Sequence, residues 1–292
     1  MSASPFTWAV RVLWLSLPLT LGDLFARILE GRSTEAVLIW NIALWAGWSS
    51  VLLASLILQP VTLTYLRVMV PLAAALGLVS LIVREPSLLG LIGLACALVA
   101  AGLTLGGDVG GDFVNGASYG DERRLSLRPP SALLLGPLQL VWLVVVGLPV
   151  AGVALLAAGN WIFGAIVLAF GAIGSWWGFR TLYRLATRWL VLVPAGLTVV
   201  DHLTMAEPTL LRRDAIHRLG PAPVDLDALD LTGGSTGLVV SVEFTEALSL
   251  VPAAPRKEAA EAVSVSAILL TPTRPGQLLT QAESRRIAVD RT

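Results

Sequence analysis

Residues 132–178 run for 47 positions without an Asp, Glu, Lys or Arg. A water-soluble domain needs charge on its surface, and roughly a quarter of its residues ordinarily carry it. A run of this length therefore belongs in hydrocarbon. The charge elsewhere is balanced. Residues 1–131 hold eight basic and eight acidic side chains, and 179–292 hold twelve of each, for a net charge of zero. Such a balance gives no electrostatic handle for nucleic acid. The Ala, Leu, Gly and Val bias, with Lys257 as the single lysine, is the composition expected of a GC-rich bacterial genome.

A helix needs about 20 apolar residues to cross a hydrocarbon core ~30 Å thick. Six candidate spans meet this: 7–26, 36–58, 62–82, 88–105, 132–157 and 160–178. Strands of a membrane barrel would alternate and be about half as long, so helices are expected. The first span carries Arg11 and Asp23 near its ends and Pro18 in its middle. It either crosses, with both charges reaching the headgroups, or lies along the surface as an amphipathic helix. Its start lacks clustered positive charge and no A-x-A site follows, so no cleaved signal peptide is expected. Small residues recur at helix-packing spacing: Gly102 with Gly106, Gly174 with Gly178, and the row Gly93, Ala97, Ala101. Arginines in short loops set the orientation. Arg123, Arg124 and Arg128 in 106–131, and Arg180, Arg184 and Arg188 after the last span, place both segments and the N-terminus in the cytoplasm of a multi-pass plasma-membrane protein.

Beyond residue 188 the pattern changes to strands. WLVLVP (189–194) precedes an Ala195-Gly196 turn, and LTVVDHL (197–203) follows. TLLRRDAIHRLG (209–220), LDALDL (226–231), a GGSTG turn (233–237), LVVSVEFTEALSLV (238–251) and VSVSAILL (263–270) come next. Val239, Ser241 and Glu243 alternate with Val240, Val242 and Phe244, the period of a half-buried antiparallel strand. QLLTQAESRRI (277–287) reads as a terminal helix, giving a small barrel or sandwich with a helical plug.

Two resemblances follow from these residues. RWLVLVPAGLTVVDHLTMAEPTLLRRDAI (188–216), with Arg212, Arg213 and Ile216 in its later part, resembles bacterial PH-like domains attached to membrane helices. TRPGQLLTQAESRRI is similar to the segment that closes such domains, and the likeness covers roughly 179–290. The whole chain resembles conserved multi-pass membrane proteins of actinobacteria in which an FVNG-SYGDERR segment joins two spans; here it is FVNGASYGDERRL (113–125). The expected fold is an α-helical transmembrane bundle of about six spans over 1–178, with a cytoplasmic loop at 106–131, followed by a small β-rich PH-like cytosolic domain over 179–290. The resemblance carries no activity with it.

Little in the chain points to catalysis. Cys96 sits alone in an apolar run and reads as a small buried hydrophobe. His202 and His217 have no cysteine nearby, so no zinc site is expected, and no cofactor. Segment 106–130 is the longest polar link between spans. Its Asp108 and Asp112 are hard-cation ligands by type, but EF-hand spacing is missing. Its glycines lack the G-x-x-x-x-G-K-[ST] pattern of a phosphate cradle. Asp121, Glu122, Arg123 and Arg124 form a mixed cluster that either docks the tail domain, touches headgroups, or is a solvated juxtamembrane loop, with Tyr119 as an interfacial anchor. Arg180, Arg184 and Arg188 share one face if the last helix continues. Facing anionic lipid, each contributes on the order of 1 kcal/mol; a stop-transfer anchor has the same spacing. Arg212, Arg213 and Arg218 make a second basic surface, offset by Asp214, Asp225 and Asp227. The spans hold almost no ionisable group at mid-depth. Arg67 is near enough to an end to snorkel and Asn41 is alone, whereas ion-coupled transporters place carboxylates or histidines there.

The expected function is a non-enzymatic integral membrane protein acting as a scaffold or membrane-surface docking module through its PH-like domain. Its expected partners are the lipid bilayer, anionic lipid headgroups and other membrane proteins, not nucleic acid. The alternative is a lipid or small-solute transporter, or an accessory subunit of a cell-envelope lipid pathway, with 106–131 as a gate. An enzyme is the third option.

Overall fold

A computed structural model describes residues 3–253 and 261–291. Two compact units divide them. One comprises 1–116 and 139–183, the other 117–138 and 184–292.

The first unit is helical. α1 (Pro5–Ser16) and α2 (Leu21–Leu29) are followed by α3 (Thr34–Leu56), α4 (Pro60–Val83), α5 (Leu88–Leu105) and the short α6 (Gly107–Asn115). Six helical segments among the described residues are long and apolar enough to cross a membrane: Pro5–Leu29, the helices α3 to α5, Pro137–Ala157 and Trp161–Ala186. Between 11% and 39% of each apolar window is buried inside the unit. Most of the apolar surface thus faces outward, as in Ile82, Leu88 and Ile162. In water such a belt would drive association; in lipid it is matched to its solvent, and the unit is a membrane-embedded bundle.

Ser4 caps α1 through the Thr7 amide, and Ser33 and Ser87 cap α3 and α5 in the same way. The first span is long enough to cross, and it is broken: α1 ends before Pro18, and α2 restarts at Leu21. The break is matched by Gly93 of α5, where a Cβ would run into the Leu21 amide nitrogen. Gly93, Ala97 and Ala101 do form a buried row. Gly102 meets nothing within 4 Å, so it and Gly106 are not a packing pair. The glycines at 174 and 178 do pack, against Val144 and Val145.

The charges of the spans are handled at helix ends. Arg11, 8% exposed, donates through Nε and Nη2 to the Ser55 carbonyl at the C-terminus of α3, and its guanidinium lies 4.8 Å from the Trp8 ring centroid. Arg67 donates to the Thr104 carbonyl at the C-terminus of α5. Asp23 accepts from Ser87, the N-cap of α5. Cations at C-termini and an anion at an N-terminus match the sign of the helix dipole. None of the three has to reach the headgroups to be satisfied.

The remaining elements are β1 (Arg123–Ser126), α7 (Ser131–Leu134), α8 (Pro137–Ala157), α9 (Trp161–Ala186), β2 (Trp189–Val193), β3 (Gly196–Val200), β4 (Thr209–Arg212), β5 (Ile216–Pro221), β6 (Leu229–Asp230), β7 (Val240–Leu250), β8 (Val263–Leu270) and α10 (Pro275–Glu283). α8 and α9 belong chiefly to the helical unit, where Gly152, Gly164 and Gly171 allow close approach; a Cβ at Gly171 would sit 2.9 Å from the Pro149 nitrogen.

The second unit contains two sheets. One is the antiparallel meander β1-β2-β3-β4. The other has the order β5-β7-β8-β6, antiparallel except for β6 beside β8. Bridges between Leu127 and Pro272 and between Met205 and Pro252 link strand ends across the unit. The core joins Leu190, Leu192, Leu197 and Leu211 to Leu219, Val240, Val242, Ile268 and Leu270. α10 closes it with Leu278, Leu279 and Ala282. The segment 106–131, read from sequence as a loop of the helical half, holds helix α6 and strand β1. β1 pairs with β2 along its full length, so the β unit draws its first strand from between the fourth and fifth spans.

Candidate docking surface

β1 carries the mixed cluster. Arg123 and Arg124 sit opposite Leu192 and Val191 in the ladder, and Leu125 enters the core. Arg124 bonds Glu122 at 2.9 Å and lies 5.3 Å from the Trp189 ring centroid. The Tyr119 amide donates to Glu122, and the Glu122 amide donates back to the Tyr119 carbonyl. The hydrogen bond from Arg124 is the main cause holding the Glu122 carboxyl below its ordinary range. The Asp121 carbonyl accepts from Arg285, just beyond α10, at 2.6 Å. Tyr119 itself is 90% exposed. The structure therefore brings Tyr119, Asp121, Glu122, Arg123 and Arg124 together at one edge of the β unit.

Arg188 does not share the helix face of Arg180 and Arg184 that the spacing predicts. α9 ends at Ala186, so only Arg180 and Arg184 remain on the helix, both exposed. Arg188 opens the path into β2 and is 1% exposed. Its Nε and Nη2 each lie 2.7 Å from the carboxylate of Asp201, and its Nη1 donates to the Arg128 carbonyl. A cation buried in this way is not a headgroup contact. Asp201 also accepts from the Leu203 amide and the Thr204 hydroxyl. Burial pushes this carboxyl upward. The Arg188 bonds and charge, with the two local donors, outweigh it and hold the group below its ordinary range. Asp201 was not singled out in the sequence. The available signal was a lone acid inside the β-branched run LTVVDHL, a position that needs a partner.

Arg128 is half-buried, packed against Gly237, and donates to the Thr236 carbonyl at 3.4 Å. Its own carbonyl takes both Arg188 and Ser235. It works as a joint between β1 and the 233–237 turn, not as a surface cation.

Arg212 and Arg213 are exposed next to each other at the end of β4. Arg212 is paired to Asp214 at 2.7 Å, with both side chains more than half exposed. Solvent screens such a pair, so its contribution to stability is small. Arg218 is drawn away from this surface: Glu243 and Asp290 hold it at 2.7 and 2.9 Å and raise its pKa. That cluster ties the C-terminal residues to β5, where Leu219 exchanges backbone bonds with Ala288 and Asp290.

Asp112, weighed as a cation ligand, accepts instead from the Ser4 amide and the Thr7 hydroxyl at the start of α1. Groups of three or more His, Cys, Asp or Glu arranged to hold a metal ion do not occur among the described residues. Against protein-family models, curated proteins and solved structures, the chain finds no match.

Proposed function

We propose that this protein is a non-enzymatic integral plasma-membrane protein whose β unit, PH-like in architecture and cytoplasmic, serves as a docking module for other membrane proteins. The observation that carries the proposal is the origin of β1. The chain passes between the two units three times, at 116/117, 138/139 and 183/184, where a tethered domain needs one passage. The sequence of a four-stranded meander, a second sheet and a closing C-terminal helix supports the PH-like reading. The pairing of Arg11, Asp23 and Arg67 with helix ends supports a structural bundle in preference to an ion relay.

The exposed edge at Tyr119 and the exposed pair Arg212–Arg213 are the surfaces offered to a partner. A photoreactive amino acid placed at Tyr119 or Arg213 in the full chain is expected to yield a discrete crosslinked product in cells. The same residue at lipid-facing Ile162 serves as the control. Absence of a discrete product from both surface positions, in cells where the protein is abundant, refutes the docking role.

A further inference from the structure

The helical unit contains a cavity of about 710 Å³ that the docking role does not use. It lies among the α1–α2 break, α3, α4, α8 and α9. Its volume is that of a small-molecule site, and its lining is almost wholly apolar. On α4 the lining reaches from Tyr65 to Leu76, about 16 Å at 1.5 Å per residue. On the broken first span it reaches from Trp14 to Leu29, so the space extends over at least half of the ~30 Å hydrocarbon core.

Water is a poor occupant. A trapped water needs two to four polar partners, and several of the polar groups here are engaged within the protein, with the exposed Asn41 the exception among the non-aromatic ones. Tyr65 bonds Ser50 at 2.7 Å, Ser175 donates to the Val145 carbonyl, and Trp14 and Trp48 exchange indole-to-carbonyl bonds at 3.0 Å each. A space at this depth with so few free polar partners is filled by hydrocarbon.

A cation lies just beyond the cavity lining on α9. On α9, Ala172, Trp176 and Arg180 form a row four residues apart, and the first two line the cavity, as does Phe179. Arg180 is exposed and makes no hydrogen bond or ion pair among the described residues. Arg180 is thus the next residue of that row, one turn beyond Trp176 and six residues before the helix ends at Ala186. An apolar slot with a cation one turn beyond its lining is complementary to an anionic phospholipid. We infer that this cavity is a binding site for such a lipid, with an acyl chain between the helices and the phosphate at Arg180.

Trp14, Trp40, Trp45, Trp48 and Trp176, half of the ten tryptophans, line the site and report on it. The full chain is reconstituted in phosphatidylcholine vesicles that contain a minor fraction of brominated lipid. At equal fraction, brominated phosphatidylglycerol is expected to quench the tryptophans more than brominated phosphatidylcholine. One arginine at a membrane surface accounts for about a fivefold preference. Arg180→Glu should abolish it and Arg180→Lys should keep it. Ala73→Phe, or Ala172→Phe where the first does not fold, fills the slot and should also abolish it. Equal quenching by the two lipids in the unaltered protein overturns the site without recourse to any variant. A preference that survives Arg180→Glu or the filled slot overturns it as well.

Discussion

At the scale of single residues, the Arg188–Asp201 pair is the most consequential interaction in the β unit. Both side chains are at most 1% exposed and joined by two parallel bonds. Removing one partner leaves the other charge buried, which costs about 3–5 kcal/mol. Asp201→Asn is expected to lower the thermal midpoint of the β signal in circular dichroism. Replacing both by Met and Leu should cost less than either single change. The pH dependence has a definite sign. The Asp201 carboxyl is held below its unfolded value of about 3.9. Its contribution is complete above that pH and is lost as pH falls through the folded value. The unaltered protein should therefore destabilise more steeply below about pH 4 than Asp201→Asn does. The arginine was visible in the sequence, but its role was not. Its spacing from Arg180 and Arg184 reads as one helix face, and only the helix end at Ala186 separates them.

At the scale of elements, periodicity located most of the chain and composition hid the rest. The spans and the strands of the tail follow from apolar runs and alternation. β8 spans Val263–Leu270, the same bounds as the run VSVSAILL. β1 was missed because RRLS is four residues long and half arginine, and what makes it a strand is the edge of β2, distant in sequence. The sequence of α6 reads as a glycine loop. Its signal was Val109, Phe113 and Val114, an apolar face at helical spacing. Gly110 belongs there because a Cβ would lie 2.8 Å from Nη2 of Arg67. Small-residue pairs were ambiguous for the same reason, since spacing names a face without saying whether a helix lies opposite. Gly93 and Gly102 show the difference. Gly93→Val drives a side chain into backbone at the α1–α2 break and should destabilise the bundle by about 1–3 kcal/mol. Gly102→Ala enters open space and should be neutral or slightly stabilising. Thermal unfolding of the two variants in mild detergent measures the contrast.

At the scale of the molecule, the β unit is discontinuous. Residues 184–292 expressed alone lack Leu125 and Leu127 from the core, leave the β2 edge unpaired, and lose the Arg128 carbonyl that accepts Arg188. An open edge of this kind invites self-association. We expect that piece to aggregate or to lack a cooperative melt, and a fusion that supplies residues 117–131 to restore one. A cooperative, monomeric 184–292 would show that β1 is dispensable.

The order of synthesis gives that discontinuity a further meaning. β1 leaves the ribosome more than sixty residues before β2 and must stay single while α8 and α9 enter the bilayer. Its partner arrives on the same side only if α8 and α9 cross as a pair and not singly. A nascent chain that inserts one of them strands the two halves of the ladder on opposite faces. Completion of the sheet is therefore incompatible with a last hairpin of which only one helix has crossed.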